Sequence, residues 1–175
     1  DLGGAFKQIP LCHKDTDTGC VLTFASFRST VPPPANSLFG RVADATQEAA
    51  CTNPASLGGG KGELKAYLDA KGRTITGVSP LKPWVSTGAA VETPWVAVPG
   101  LLTAECRTNE HATYLDVTVN GNPADPRVDD IIGDLGAGPQ VLANWGLHLV
   151  DMNLAMGNLL DIVRAQGRAF AAKRR

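Results

Sequence analysis

The chain has 175 residues, 43% of them apolar, and a formal net charge of −1. That is enough polypeptide for one domain with a real core, and no apolar run reaches the roughly 20 residues of a membrane span. Basic residues are scattered apart from the terminal run Lys173, Arg174 and Arg175, so the electrostatic footprint of a nucleic-acid binder is absent.

The chain opens on Asp1, with neither an initiator methionine nor a signal peptide, which points to a processed precursor or a cut fragment. Residues 1–19 read as loop. Within it Asp15, Asp17 and Gly19 resemble the start of a calcium loop, but the twelfth position from Asp15 is Ser26 where a bidentate Glu is needed. Residues 20–27 are apolar with β-branched and aromatic content, the pattern of a strand buried on both faces in a parallel sheet. Pro32, Pro33 and Pro34 then force an extended exit.

Cys12, Cys20, Cys51 and Cys106 allow three pairings. The first two bracket a short polar loop; the others lie beside apolar stretches and could join distant parts of the chain. An even count at wide spacing fits disulfides in an oxidising compartment, hence a secreted or periplasmic protein, better than a zinc site. Four buried free thiols are the alternative.

Asn53 before Pro54 marks a turn, and 58–62 reads as a flexible connector. It is not a phosphate loop, because Gly62 stands where a Ser or Thr must follow Lys61. Residues 63–68 suggest a short helical piece. From 71 to 100 the chain reads as an irregular insertion, with strand-like bits at 74–78 and 95–98 interrupted by Pro80, Pro83 and Pro94. Strands are expected at 101–106 and 114–119, the second alternating as though one face were wet. Asn120, Gly121 and Pro123 form a turn before an acidic loop with Asp125, Asp129, Asp130 and Asp134. A helix over 148–172 is apolar nearly all round at its start and polar later, so its front half should be buried and its tail exposed.

The stretch 144–160 carries the most chemistry. A loop with Trp145 and Gly146 delivers His148 to the mouth of the last helix, and Asp151 follows at a spacing that makes the two surface neighbours. An imidazole beside a carboxylate is a candidate general base. The plain structural reading is a core histidine plus an acid favoured at a helix N-terminus. His13, His111 and His148 are too scattered for a metal triad, and no cofactor motif occurs. No Gly-x-Ser-x-Gly elbow is present either; Gly77, Val78 and Ser79 run into Pro80. Any Ser-His-acid chemistry here needs a serine from elsewhere.

Four stretches in order, Cys20-Val-Leu-Thr-Phe-Ala-Ser-Phe27, Cys51-Thr-Asn-Pro54, Pro99-Gly-Leu-Leu-Thr-Ala-Glu-Cys106 and Leu147-His-x-x-Asp-x-x-Leu154 with Asn158 and Leu159, resemble the C-terminal half of a bacterial α/β-hydrolase family of uncharacterised, lysophospholipase-like proteins. The resemblance spans nearly the whole chain. It implies an α/β fold: the C-terminal portion, 1–175, of a single hydrolase domain, with a mostly parallel sheet and helices on both faces. It implies that His148 is the late general base and that Asp151 matches the acid three positions on. The family's usual acid after the penultimate strand is missing, since Arg28, Ser29 and Thr30 follow Phe27; Asp151, Asp129 and the amide of Asn53 are the candidates for the orienting group.

The resulting expectation is a carboxylic ester hydrolase of esterase or lysophospholipase type, without cofactor, acting on a small ester or lipid-like substrate. Its nucleophile and oxyanion donors would come from an N-terminal segment or chain of the same precursor, without which it is inactive. Such a half sheet would show an unpaired apolar edge at 20–27 and a large hydrophobic face. The competing expectation is a secreted, disulfide-linked binding or structural module in which His148 is core.

Overall fold

The computed structural model describes residues 6–44, 46–71, 83–137 and 140–174. The expected strand at 74–78 lies outside them. The molecule is mixed α/β. A four-stranded sheet runs in the order β1 (Ser26–Arg28), β6 (Thr113–Val119), β5 (Leu102–Thr108), β2 (Gly62–Glu63). Two small antiparallel pairs accompany it, β3 (Tyr67–Asp69) with β4 (Trp95–Ala97) and β7 (Gly136–Ala137) with β8 (Gln140–Val141).

Among the described strands only β1 and β6 pair in parallel; β5 runs antiparallel to both β6 and β2. The mostly parallel sheet expected from the sequence is therefore a mixed one. The reason is local: β5 and β6 are joined by a short turn at 109–112, and a short connection can join only antiparallel neighbours. Asn109 organises that turn, its Oδ1 accepting the amides of His111 and Ala112 at 2.9 Å each.

β6 is the second strand of the sheet, flanked on both sides, and Tyr114 through Val117 are all buried. The alternation in its sequence suggested a wet face. Instead Asp116 is buried beside Arg107, whose Nε stands 3.0 Å from its Oδ2.

The piece at 63–68 is extended, not helical. Leu64, Ala66, Leu68 and Ala70 point inward while Glu63, Lys65 and Tyr67 are exposed, a period of two that suits a strand and no helix. Asn158, buried on the last helix, straps this segment down: its Oδ1 accepts the Lys65 amide at 2.8 Å and its Nδ2 donates to the Glu63 carbonyl at 3.1 Å.

The core gathers Leu64, Leu68, Leu102, Leu115, Val117 and Leu154 with their neighbours. The described part of the irregular region also feeds it, through Trp84 and Val98. Trp84 can be buried because its indole N–H donates to the Asp69 carbonyl at 2.9 Å.

Both disulfides form, Cys12 with Cys20 and Cys51 with Cys106. The second ties the segment after the proline-rich exit to β5; the first closes a loop whose sulfurs lie against Gln166 of the last helix.

The C-terminal helix is broken. A 3-10 turn at His148–Val150 leads into α1 (Asp151–Leu154), and α2 (Met156–Ala172) follows after a kink at Ala155, where φ is −110° and ψ 10°. The kink frees the Gly157 amide to donate to the Lys65 carbonyl at 2.9 Å. A Cβ at position 157 would stand 2.6 Å from that of Lys65, so only glycine lets the helix and the extended segment touch. The front of the helix is buried and the tail exposed, as its polarity pattern predicts.

Candidate functional site

The site forms where the outer edge of β1 meets the 3-10 turn. In a parallel pair each strand offers alternate residues to its neighbour, and Ala25 and Ser29, flanking β1, bond to β6, leaving the Ser26 main chain facing outward. That edge is not bare. The Ser26 carbonyl accepts the Leu147 amide at 2.7 Å, and the Ser26 amide donates to Asp151 Oδ1 at 2.9 Å. The unpaired edge expected at 20–27 is thus closed at Ser26, because the turn before α1 folds onto it.

Gly146 makes this approach possible. Its φ of +55° is a conformation that L side chains rarely adopt, and an added Cβ would sit 2.6 Å from both Phe27 Cδ1 and the Ser26 carbonyl oxygen. Gly133 does the same from below, where a Cβ would meet Val150 Cγ2 at 2.3 Å.

With one carboxylate oxygen fixed by Ser26, the other, Asp151 Oδ2, lies 2.7 Å from His148 Nδ1. Burial pushes the Asp151 carboxyl above its ordinary value of 3.8, and Ser26 and His148 pull in the other direction. A hydrogen bond at Nδ1 selects the tautomer that carries its proton there, leaving the Nε2 lone pair free to accept a proton. Nε2 has no hydrogen-bond partner among the described residues, and the His148 side chain is 39% exposed. A histidine sealed in the core does not have this environment.

The ring is held flat by Phe39, which stacks on it with centroids 3.7 Å apart at 29°. Phe39 in turn meets Trp145 edge-on at 5.5 Å, and the Leu38 amide donates to the Asn144 carbonyl at 2.9 Å, clamping the proline-rich exit to the histidine loop.

A part-buried ion-pair cluster sits at the other end of β1. Arg28 Nε and Nη2 engage both oxygens of Asp134 at 2.6–3.0 Å, Nη1 reaches Asp130 Oδ1 at 3.1 Å, and Nη2 donates to the Ile131 carbonyl. The guanidinium is held charged above its ordinary range by these acids, against the penalty of burial. This fork-on-fork pairing anchors the loop whose Gly133 supports Val150, two residues beyond His148.

Of the three candidates for the group that orients the histidine, the structure brings only Asp151 to His148. Asp129 Oδ1 accepts the Asn122 amide at 2.9 Å and shapes the 120–129 turn. Asn53 spends its amide on the Gly60 and Ala104 carbonyls and its oxygen on the Ala55 amide, so it is a strut between the turn and β5. Phe39, Ser26 and Arg28 were not read from the sequence as site residues; their contacts in the site bridge from 102 to 125 positions, and no local pattern announces them. Among the described residues no group of three or more His, Cys, Asp or Glu could hold a metal ion. Among the described residues no helix is long and apolar enough to cross a membrane.

Comparison with protein-family models, with curated proteins and with solved structures finds no match for this chain. The geometry alone carries the functional reading.

Proposed function

We propose that this chain is the base-bearing part of a carboxylic ester hydrolase, the C-terminal portion of an α/β-hydrolase fold exported to an oxidising compartment. In this reading His148 is the general base and Asp151 the acid that fixes its tautomer. One observation carries it: Asp151 is held by the Ser26 amide on one oxygen and engages His148 Nδ1 on the other, while Nε2 stays uncommitted on a partly exposed ring.

The reaction needs an alcohol nucleophile. Ser26 is wholly buried, Ser37 Oγ donates to the Phe39 carbonyl and Ser56 Oγ to the Gly59 carbonyl, and no described serine hydroxyl is bonded to His148. In this reading the serine comes from an N-terminal segment of the same precursor. Upstream of Ser26, the main-chain groups of Leu22 and Phe24 have no hydrogen-bond partner among the described residues, an edge to which such a segment would add a strand.

His148 Nε2 would take the hydroxyl proton as oxygen attacks the ester carbonyl. It would return that proton to the departing alkoxide as the acyl-enzyme forms, then activate water to release the acid. A small ester or lipid-like substrate suits this chemistry.

The test is labelling of the natural precursor material with a serine-reactive fluorophosphonate. Labelling that His148→Ala reduces by several orders of magnitude in rate supports the reading. Absence of labelling on any component would leave the second reading, a disulfide-linked module in which the His148–Asp151 pair serves only to clip the sheet edge.

A further inference from the structure

The exposed face of α2 is the least expected surface of the molecule. Leu160, Val163 and Phe170 are 55%, 64% and 49% exposed, spaced so that with Gly167 they form one stripe along the helix. The stripe does not end with the helix. Through Leu160 and Met156 it runs into an open cleft of about 570 Å³ whose other walls are Tyr67, Pro94 and Trp95. Two of its polar side chains are already used: Asn153 Nδ2 donates to the Tyr67 carbonyl and Thr93 Oγ1 to the Trp95 carbonyl. Trp95 is 52% exposed and Tyr67 43%, two amphipathic rings at the rim of an apolar trough. His148 does not line it.

Charge decides what this face would meet. The chain as a whole carries −1, but from Met156 to Arg174 there are four cations, Arg164, Arg168, Lys173 and Arg174, against the single acid Asp161. Arg164, which pairs with Asp161 Oδ1 at 3.2 Å, and Arg168 are exposed and follow the stripe at helical spacing. Arg174 lies over the Phe170 ring, its guanidinium carbon 4.5 Å from the centroid. Long basic side chains beside exposed apolar ones can keep their heads among lipid headgroups while the apolar stripe sinks below them.

From this geometry we infer that α2, with the Tyr67–Trp95 rim, is an interfacial binding surface for an anionic lipid membrane. The helix lies along the surface and does not cross it. A second copy of this chain would bring four cations against four, whereas a negatively charged leaflet complements both the charge and the apolar trough. The inference does not depend on the hydrolase reading, because none of these residues belongs to the His148 site.

The experiment is co-sedimentation of the intact chain with vesicles of phosphatidylcholine alone and with phosphatidylglycerol added, at low and at high salt. Binding to the anionic vesicles only, weakened by salt, is expected. Arg164→Gln with Arg168→Gln should weaken it about thirtyfold, the attraction of two basic residues near a charged leaflet. Leu160→Asn with Val163→Asn should weaken it also at low salt; both sites are exposed, and unchanged near-UV circular dichroism checks that the fold is intact. A blue shift of tryptophan emission on binding, lost in Trp95→Phe, places the rim in the headgroup region. Failure to bind anionic vesicles overturns the inference, as does binding that neither double variant alters. A stable dimer dispersed by Val163→Asn without vesicle binding overturns it in favour of a second copy.

Discussion

Asp151 joins two parts of the fold that are 125 residues apart: it accepts the Ser26 amide on the edge of β1 and holds His148 Nδ1 at 2.7 Å. One carboxylate thus closes a sheet edge and orients an imidazole. Any change to it should be felt in both places.

Because burial raises the Asp151 carboxyl above 3.8, the folded state binds its proton more tightly than the unfolded chain does. The sign follows from linkage: where the folded state holds more protons, stability falls as pH rises. Asp151 therefore contributes stability that is fully present below the ordinary carboxylate value and is lost as pH climbs through its raised folded value. Thermal melts across this acidic window should show the slope in the wild type and a shallower one in Asp151→Asn. Some slope will remain, since burial also raises Asp116. An unchanged slope in the variant would mean that Asp151 is not the titrating group.

Gly146→Ala should destabilise the protein by about 2–4 kcal/mol, combining a left-handed backbone with overpacking against Phe27. The larger consequence is local. Lifting the loop from β1 breaks the Leu147 to Ser26 bond and moves His148, so the His148 ring signals in NMR should shift more than those of His111.

Arg28→Met should cost about 2–4 kcal/mol in urea unfolding, because Asp134 is left part-buried without its partner. Arg28→Lys should recover less than half of that. An ammonium cannot reproduce the two-pronged contact with Asp134 while also reaching the Ile131 carbonyl. Full rescue by lysine would show that charge alone matters there.

The two disulfides differ in the loop they close, 8 residues against 55. Chain-entropy reasoning gives about 2.5 kcal/mol for the first and about 4 kcal/mol for the second. Replacing Cys51 and Cys106 by Ala should lower the Tm further than replacing Cys12 and Cys20, by a few degrees in a chain of this size.

The sequence by itself determined much that is local. The strands β4, β5 and β6, the half-buried last helix and the His148–Asp151 spacing were all legible, because they rest on periodicities and neighbour relations within a few residues. The alternation at 63–68 was equally local, and a helical reading of it simply took the wrong period. The sequence also narrowed the cysteines to a framework whose simplest pairing is the one that forms.

Only the tertiary structure decided the rest. Which group among Asp151, Asp129 and the amide of Asn53 faces the histidine depends on a turn folding onto β1, a contact made possible by Gly146 and felt across the whole chain. That β6 would be buried on both faces depended on the core around Leu115 and Val117 on one side and on Phe27 against Tyr114 and Arg107 beside Asp116 on the other. That the stripe on α2 would stay uncovered depended on where the core ended. Such facts arise from pairings between distant segments, and the residues that make them carry no mark of their partners in the order of the chain.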